Sequence, residues 1–362
     1  MHEMKKNSIR PGERWLDTNG NKIHVQAPQI HYEYGYYYLF GVNTEKSYKG
    51  TGCHHMGVRC YRSMDFYNWE DIGNIIEPST TDYTSVLYPG NPLVRPHIIY
   101  CQKTKKYVAW LHADTGAAQF YTVLTADSFT GPYTVEKEYY RPLDLNGGDF
   151  DVAVDEKTGE GYFFFVKMIS SVIAARLSDD FLEVVGPYTA NFEGRKIPYA
   201  REGIAHFERN GKHYLMTSGQ TYFYPNKSEV AVADHPLGPY QVMDNPYPSD
   251  KSNTSFCSQP ADVIKLQNTD LYVITADRWV PGFPKSRWFN KLFIKMYEKG
   301  ANRISDNYFQ NADHTVRHPN EPHRGNCPLD MRKSTFTILP VRFTGDQPII
   351  DWHDEWRIED FR

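Results

Sequence analysis

Five polar residues recur along the chain, each at the start of an apolar, strand-forming run. They are Gln26, Arg95, Asp149, Glu202 and Gln259. Successive members are 69, 54, 53 and 57 residues apart, so they follow one period. Two of the five are carboxylic acids, which together are the minimum equipment for cleaving a glycosidic bond. Arg95 could keep a neighbouring carboxylate ionised, because a cation lowers a carboxylate pKa, or could bind a sugar hydroxyl.

Five hairpins position these residues. In each hairpin an apolar strand is joined to an aromatic-rich strand by a polar connection such as QKTKK or ERNGK. A second signal, a small residue followed by an Asp, closes the first four units at Asp65, Asp127, Asp179 and Asp234. These Asp residues are 62, 52 and 55 residues apart, a period typical of a four-stranded propeller blade. We therefore predict an all-β fold, a five-bladed β-propeller.

The repeats predict one domain over residues 1–362. An array of separate β-sandwich domains is the alternative, but no linker rich in Pro, Gly or Ser divides the units. A segment at about 280–328 is rich in His, Asn and Pro, and we expect it to be an insertion at the rim. Helical periodicity is confined to 290–304. The last strand, 336–341, either completes the fifth blade or pairs with the first.

The innermost strands of a propeller surround one axis, so the five polar residues should converge at one mouth of the channel. The alternative is that they hydrogen-bond to one another and plug the channel. Aromatic residues make up 15% of the chain, which fits a carbohydrate-handling protein and equally a β-rich protein without a ligand. Candidate sugar platforms are Trp15, Trp69, Tyr222, Tyr224, Trp279 and Trp288.

Composition argues against several other classes of protein. A net charge of −4 and a pI near 6.4 disfavour nucleic acid as a partner. The chain contains no run of about 18 apolar residues, so no membrane span is predicted. The five Cys lack CxxC spacing, so neither a disulfide framework nor a zinc site is indicated. The polar start of the chain, 1–10, has no signal-peptide pattern, and we expect a cytoplasmic protein.

Several segments resemble glycoside hydrolase family 43, in particular its branch of exo-β-1,3-galactosidases that act on galactan. The matching segments are Gly12–Ile23, Leu93–Tyr100, Lys105–His112, Arg201–Ala205, Thr217–Thr221, Pro225–Asn226, Ser258–Gln259, Asp277–Trp279 and Trp352–Trp356. The resemblance covers nearly the whole chain outside 280–328. It implies a five-bladed propeller, in agreement with the repeat count.

The resemblance also implies roles for individual residues. Glu202 corresponds to the general acid, Asp149 to the residue that tunes and orients this acid, and Gln259 to a glutamine with a base-like role. The residues expected to bind substrate are Gln26, Arg95, Tyr222, Arg278 and Trp279. No cofactor is expected to be required and no metal ligand is assigned. A structural calcium ion is left open, because family members often hold a cation on the axis.

The chain departs from the family at three places. Ala27 precedes Pro28 where most members have the Asp general base, Val94 replaces a Glu of the branch, and Gly148 replaces an Arg before Asp149. The leading hypothesis is an inverting exo-glycosidase that releases a terminal sugar from plant-type oligo- or polysaccharide. The first candidate for this sugar is β-galactose. Terminal α-L-arabinofuranose, β-xylose and galactofuranose are the other candidates. The competing hypothesis is a carbohydrate-binding pseudo-enzyme, favoured by the missing base and disfavoured by the retained pair of acids.

Overall fold

The computed structural model describes residues 6–114, 118–301 and 329–361. Its strands form five antiparallel sheets, each made of four consecutive strands. This arrangement confirms the predicted five-bladed β-propeller.

The blades follow the chain in order. Blade 1 contains β1 (Val25–Glu33), β2 (Tyr36–Asn43), β3 (Val58–Ser63) and β4 (Glu70–Ile76). Blade 2 contains β5 (Leu93–Cys101), β6 (Lys106–Asp114), β7 (Gln119–Ala126) and β8 (Thr134–Tyr140). Blade 3 contains β9 (Gly147–Val154), β10 (Gly161–Lys167), β11 (Ser171–Leu177) and β12 (Val184–Asn191). Blade 4 contains β13 (Arg201–Arg209), β14 (Lys212–Gly219), β15 (Glu229–Ala233) and β16 (Gln241–Val242). Blade 5 contains β17 (Gln259–Lys265), β18 (Tyr272–Arg278), β19 (Thr335–Thr344) and β20 (Gln347–Ile350).

The sequence signals correspond to definite parts of each blade. The five predicted hairpins join the first and second strands, and each repeated Asp lies one or two residues after the end of a third strand. The segment 336–341 lies in β19 and pairs with β18, so it completes the fifth blade. Of the two alternatives left open by the sequence, pairing with the first blade is therefore wrong.

Aromatic packing between neighbouring blades builds the core. Each of the five junctions between blades holds one cluster of buried apolar side chains. At the junction of blades 2 and 3, for example, the rings of Trp110 and Phe163 lie 4.7 Å apart. Trp15 and Trp69 are buried at the junction of blades 1 and 5, so these two proposed sugar platforms belong to the core instead.

The chain termini close the ring between the first and last blades. Ile9 and Trp356 exchange two backbone hydrogen bonds of 2.8 and 2.9 Å. The indole of Trp15 also donates to the carbonyl of Phe336 at 3.0 Å. Because these contacts join segments more than 300 residues apart, they resist opening of the ring.

One helix, α1 (Arg287–Ala301), lies in the segment where the sequence shows helical periodicity. Asn290 attaches it to the propeller by donating to the carbonyl of Ser252 at 2.9 Å. The ring of Phe293 packs 5.0 Å from Tyr224 and 5.4 Å from Phe283. Residues 302–328 of the proposed insertion lie outside the described residues, so the place of this part at the rim stays a prediction.

No helix in the described part of the chain is long and apolar enough to cross a bilayer.

Candidate active site

The mouth of the channel opens into a cavity of about 450 Å³. All five predicted axial residues, Gln26, Arg95, Asp149, Glu202 and Gln259, line this cavity. Some of them bond to each other, but they surround a space that could hold a sugar ring. Arg95 pairs with Asp149 and Gln259 with Glu202, as the plug alternative expects, but the space that the five residues line stays open, and their catalytic roles stay predictions.

A bulge near the start of each inner strand turns these side chains toward the axis. Regular pairing resumes at Gln29, His97, Phe150, Ala205 and Asp262 in the five blades. Counted back from these residues, Gln26, Glu202 and Gln259 each lie three positions earlier, Arg95 lies two earlier and Asp149 one earlier. Their sequence spacing implied one common register position. The five residues instead occupy three different positions relative to the bulge. The extra residue of a bulge re-aims neighbouring side chains, which explains why they still meet.

The order of the blades decides which residues face each other. Glu202 belongs to blade 4, so Asp149 on blade 3 and Gln259 on blade 5 flank it. In a ring of five blades, blades 1 and 2 lie across the axis from blade 4. Gln26 of blade 1 and Asp114 of blade 2 both line the cavity on that opposite side.

Glu202 has the environment of a protonated acid. Burial and the negative charge of Asp149 raise the pKa of Glu202 well above its usual range, although Arg95 and Arg201 act against this shift. Its Oε1 accepts a hydrogen bond from Nε2 of Gln259 at 3.3 Å. Among the described residues Oε2 has no hydrogen-bond partner, so a proton on Oε2 could be given to a ligand in the cavity.

Gln259 is held in one orientation by three neighbours. Its Oε1 accepts from the indole of Trp279 at 3.1 Å, and its Nε2 donates to the hydroxyl of Ser218 at 2.9 Å as well as to Glu202. The indole can only donate, so the amide oxygen must face Trp279 and the amide nitrogen must face Glu202. Gln259 therefore contacts the acid itself.

Asp149 lies between a cation and a backbone amide. Its Oδ1 is 2.9 Å from Nε of Arg95, and its Oδ2 accepts from the backbone N–H of Gly203 at 2.8 Å. Gly203 has φ +61°, and a Cβ there would come within 2.8 Å of Gln259 and 2.7 Å of Ser218. Glycine thus allows the strand to carry the acid, donate to Asp149 and leave room for Gln259.

At Ala27, where most of the family has its base, the structure holds the backbone firmly. The N–H of Ala27, which has φ 50°, donates to both carboxylate oxygens of Asp277 at 2.9 and 3.1 Å. Burial raises the pKa of Asp277 to about 7, with Arg95 acting against the shift. The carboxylate of Asp277 is bound to the backbone of Ala27. Asp277 therefore does not take the place of the missing general base, whose carboxylate would enter the cavity.

One side of the cavity is aromatic. Phe223 lies 4.3 Å from Tyr222 and 5.3 Å from Trp279 between ring centroids, and all three line the cavity. Tyr222 is 61% exposed, which suits a sugar-stacking surface. The predicted substrate-binding residue Arg278 is placed elsewhere. It is buried, lies 5.3 Å from the ring of Trp352 and does not line the cavity, because alternation along β18 directs it away from Trp279.

Three cavity residues of blade 2 were missed by the sequence reasoning. Gln119 accepts at Oε1 from His112 Nε2 at 2.6 Å and donates from Nε2 to Asp114 at 2.8 Å. Burial lowers the pKa of His112, which favours the neutral ring. These residues lie on the second and third strands, whereas the repeated polar residues mark only the starts of first strands. His112 does end the segment Lys105–His112, which was a usable signal.

A structural calcium ion on the axis stays a prediction. Calcium takes six to eight oxygen ligands, yet the axial carboxylate Asp151 accepts from the ring of His97 and the backbone of His206. Asp155, Glu208 and His213 are the single group of three such side chains in the described ranges that is close enough to share an ion. Glu208 is six residues beyond Glu202 on β13, about 20 Å away.

Comparisons with known proteins identify the family and the fold. The sequence profile of glycosyl hydrolases family 43 matches residues 21–280. A search of curated proteins finds no match.

Solved structures share the fold over almost the whole chain. The GH43 β-1,3-galactosidase BT0265 is 25% identical with a TM-score of 0.76, over 98% of this chain and 65% of its own length. The GH43 β-1,3-galactosidase BT3683, solved with galactodeoxynojirimycin, is 24% identical with a TM-score of 0.73, over 97% of this chain and 100% of its own. An exo-β-1,3-galactanase variant from Phanerochaete chrysosporium, solved with β-1,3-galactotriose, is 22% identical with a TM-score of 0.74, over 98% of this chain and 68% of its own.

The matched family covers all five blades' inner strands and every residue that lines the acid-bearing cavity. The chain therefore belongs to glycosyl hydrolases family 43 and is a glycoside hydrolase.

Proposed function

We propose that this glycoside hydrolase is an inverting exo-enzyme that releases terminal β-galactose from β-1,3-linked galacto-oligosaccharides. The observation that carries the proposal is the state of Glu202, which lines the cavity, whose pKa is raised by burial and by Asp149, and whose Oε2 has no partner among the described residues. The solved β-1,3-galactosidases and galactanase of the same fold support β-galactose as the sugar.

The acid step needs a proton on Glu202 at neutral pH. The negative charge of Asp149 keeps that proton bound, while the hydrogen bond from Gln259 to Oε1 leaves the proton on Oε2. Oε2 protonates the glycosidic oxygen as the bond to the anomeric carbon breaks, and the departing sugar leaves as an alcohol. Glu202 is left as a carboxylate and regains a proton from solvent.

The water must attack the opposite face of the sugar ring. Inverting enzymes separate the acid from the group that handles this water by about 6.5–9.5 Å. Gln259 contacts the acid, so we assign the water to the far side of the cavity, formed by blades 1 and 2. There the Gln26 amide orients the water, and the Asp114 carboxylate, held by Gln119, accepts its proton.

The buried acid weighs against the hypothesis that the protein is a pseudo-enzyme that only binds sugar. A protein that only binds sugar gains nothing from a buried acid with a raised pKa, because burying such a group costs stability. The retained acid and the carboxylate across the cavity therefore favour hydrolysis over binding alone.

A substrate panel tests the proposal. The purified protein is incubated with β-1,3-galactobiose and galactotriose, and with aryl glycosides of β-galactose, α-L-arabinofuranose, β-xylose and galactofuranose. We expect galactose from the β-1,3-linked substrates, with the α-anomer formed first by NMR. Release of another sugar would overturn the choice of galactose, and no hydrolysis of any member would favour the pseudo-enzyme.

A further inference from the structure

A second cavity, of about 740 Å³, lies between blade 4 and helix α1. We call it the α1 groove; its walls include Tyr199, Lys227, Arg287, Trp288, Lys291 and Lys295. Nothing in the mechanism above uses these residues. The groove is larger than the cavity that contains Glu202.

The groove carries an excess of positive charge in a protein whose net charge is −4. Arg287, Lys291 and Lys295 are four residues apart, so they form a row along one face of α1. Like charges at this spacing destabilise a helix. These three cations and Lys227 form no ion pair with any residue in the described ranges.

The acidic residue of the groove does not neutralise this row. Glu229 is 2.5 Å from Arg195 and 3.8 Å from Arg201, so two other cations already compensate its charge. Arg201 also donates to the hydroxyl and carbonyl of Thr217, which fixes it in the floor of the groove. The exposed cations therefore remain available to an anion.

Two exposed aromatic side chains lie beside these cations. Tyr199 is 53% exposed and Trp288 is 74% exposed, and both line the groove. Rings with one apolar face open to solvent suit stacking against a sugar ring. Exposed aromatics together with ammonium and guanidinium groups fit a saccharide that also carries a negative charge.

The groove adjoins the acid-bearing cavity. Arg201 and Glu202 are consecutive on β13, so their side chains point to opposite faces of the strand, one toward the groove and one toward the acid site. Asn226 lines both the groove and a recess that shares Tyr222, Gln259 and Trp279 with the acid site. The recess has a volume of only about 10 Å³, room for one water, so an oligosaccharide that occupies both sites must cross the surface between them.

We propose that the α1 groove is a subsite for an anionic sugar residue, a uronic acid or a sulfate ester, carried by the oligosaccharide whose terminal sugar occupies the acid site. The inference rests on the proposed exo-glycosidase function. It adds that the preferred substrate is acidic rather than neutral.

Titration calorimetry on the full chain with Glu202→Gln measures binding without cleavage. The probes are β-1,3-galactotriose, the same trisaccharide with a β-1,6-linked glucuronic acid branch, the methyl ester of that branch, and a 6-sulfated trisaccharide. The test variant is Lys291→Glu with Lys295→Glu. The matched control is Lys157→Glu, an exposed residue of the β9–β10 hairpin at the other end of blade 3.

We expect the glucuronic acid probe to bind about five- to tenfold more tightly than its methyl ester, since exposed charges each contribute about two- to fivefold. The double variant should lose this advantage and leave the neutral trisaccharide unaffected, whereas Lys157→Glu should keep it. About 0.5 M NaCl should also remove it. A gain for the sulfated probe alone assigns the groove to sulfate, and a gain for glucuronate alone assigns it to uronate.

Equal affinity for the acid and its methyl ester would overturn the inference, as would an advantage that survives in the double variant. Failure of the galactosidase proposal is recognised separately, by absence of cleavage and binding of the neutral trisaccharide. In that case the affinity of the groove for an anionic sugar is measured by titrating digalacturonate into the wild type and the double variant.

Discussion

The replacement Glu202→Gln tests the acid assignment most directly. The amide oxygen can keep the hydrogen bond that Gln259 donates to Oε1 at 3.3 Å. The amide nitrogen takes the place of Oε2, which has no partner among the described residues, so no hydrogen bond is lost. The change therefore removes the transferable proton and little else.

Its kinetic effect should depend on the leaving group. Loss of a general acid typically costs about 10²–10⁴-fold in rate, or about 2.7–5.5 kcal/mol at about 1.36 kcal/mol per tenfold. We expect a loss of this size in kcat/KM on β-1,3-galactobiose, whose leaving group departs as an alkoxide unless it is protonated. On dinitrophenyl β-galactoside the loss should be less than about tenfold, because departure there needs little protonation.

Thermal unfolding provides the control for correct folding. Burial and Asp149 raise the pKa of Glu202, so its ionisation favours the unfolded chain. This penalty is absent below the ordinary glutamate pKa and grows as the pH rises toward the raised value. The variant should match the wild-type Tm at about pH 4 and exceed it at about pH 8.

Equal losses on the two substrates would refute the reasoning, because they would show that Glu202 binds sugar rather than donating a proton. A variant Tm below that of the wild type at alkaline pH would contradict the raised pKa. Both results can be obtained from one preparation of each protein.

Three further replacements test the neighbours of the acid. Asp149→Asn removes the charge that raises the pKa of Glu202, so the alkaline limb of the kcat/KM profile should move to lower pH; an unchanged limb would mean that the two groups are not coupled. Gln259→Ala removes one hydrogen bond to the acid and should lower kcat/KM about tenfold on galactobiose but less on the dinitrophenyl substrate, whereas equal losses would assign it to the water instead. Asp114→Asn should lower kcat about 10²–10⁴-fold on both substrates if Asp114 accepts the proton of water, and wild-type rates would exclude that role.

Local patterns in the sequence were sufficient to predict the propeller. Strand alternation, hairpin composition and the repeated Asp residues each depend on neighbours a few positions away, and they gave both the number of blades and the order of strands. The same period led to Glu202, Asp149 and Gln259, because equivalent strand starts must surround the axis. The five four-stranded sheets confirm that count.

Tertiary structure decided how those residues meet. The bulges shift Arg95 and Asp149 from the register position that their spacing implied, and strand alternation sends Arg278 into the interior beside Trp352. Gln259 contacts the acid because blades 4 and 5 are neighbours in the ring.

The residues across the cavity and in the α1 groove could not be found from the repeat. Asp114 lies at the end of the second strand of blade 2, across the cavity from the acid. The cations of α1 line a groove only because the helix packs against blade 4. Sequence periodicity records what each strand must do for its own blade. Which other side chains join the repeated polar residues in a cavity depends on contacts between blades, and these contacts join residues that the repeat does not relate.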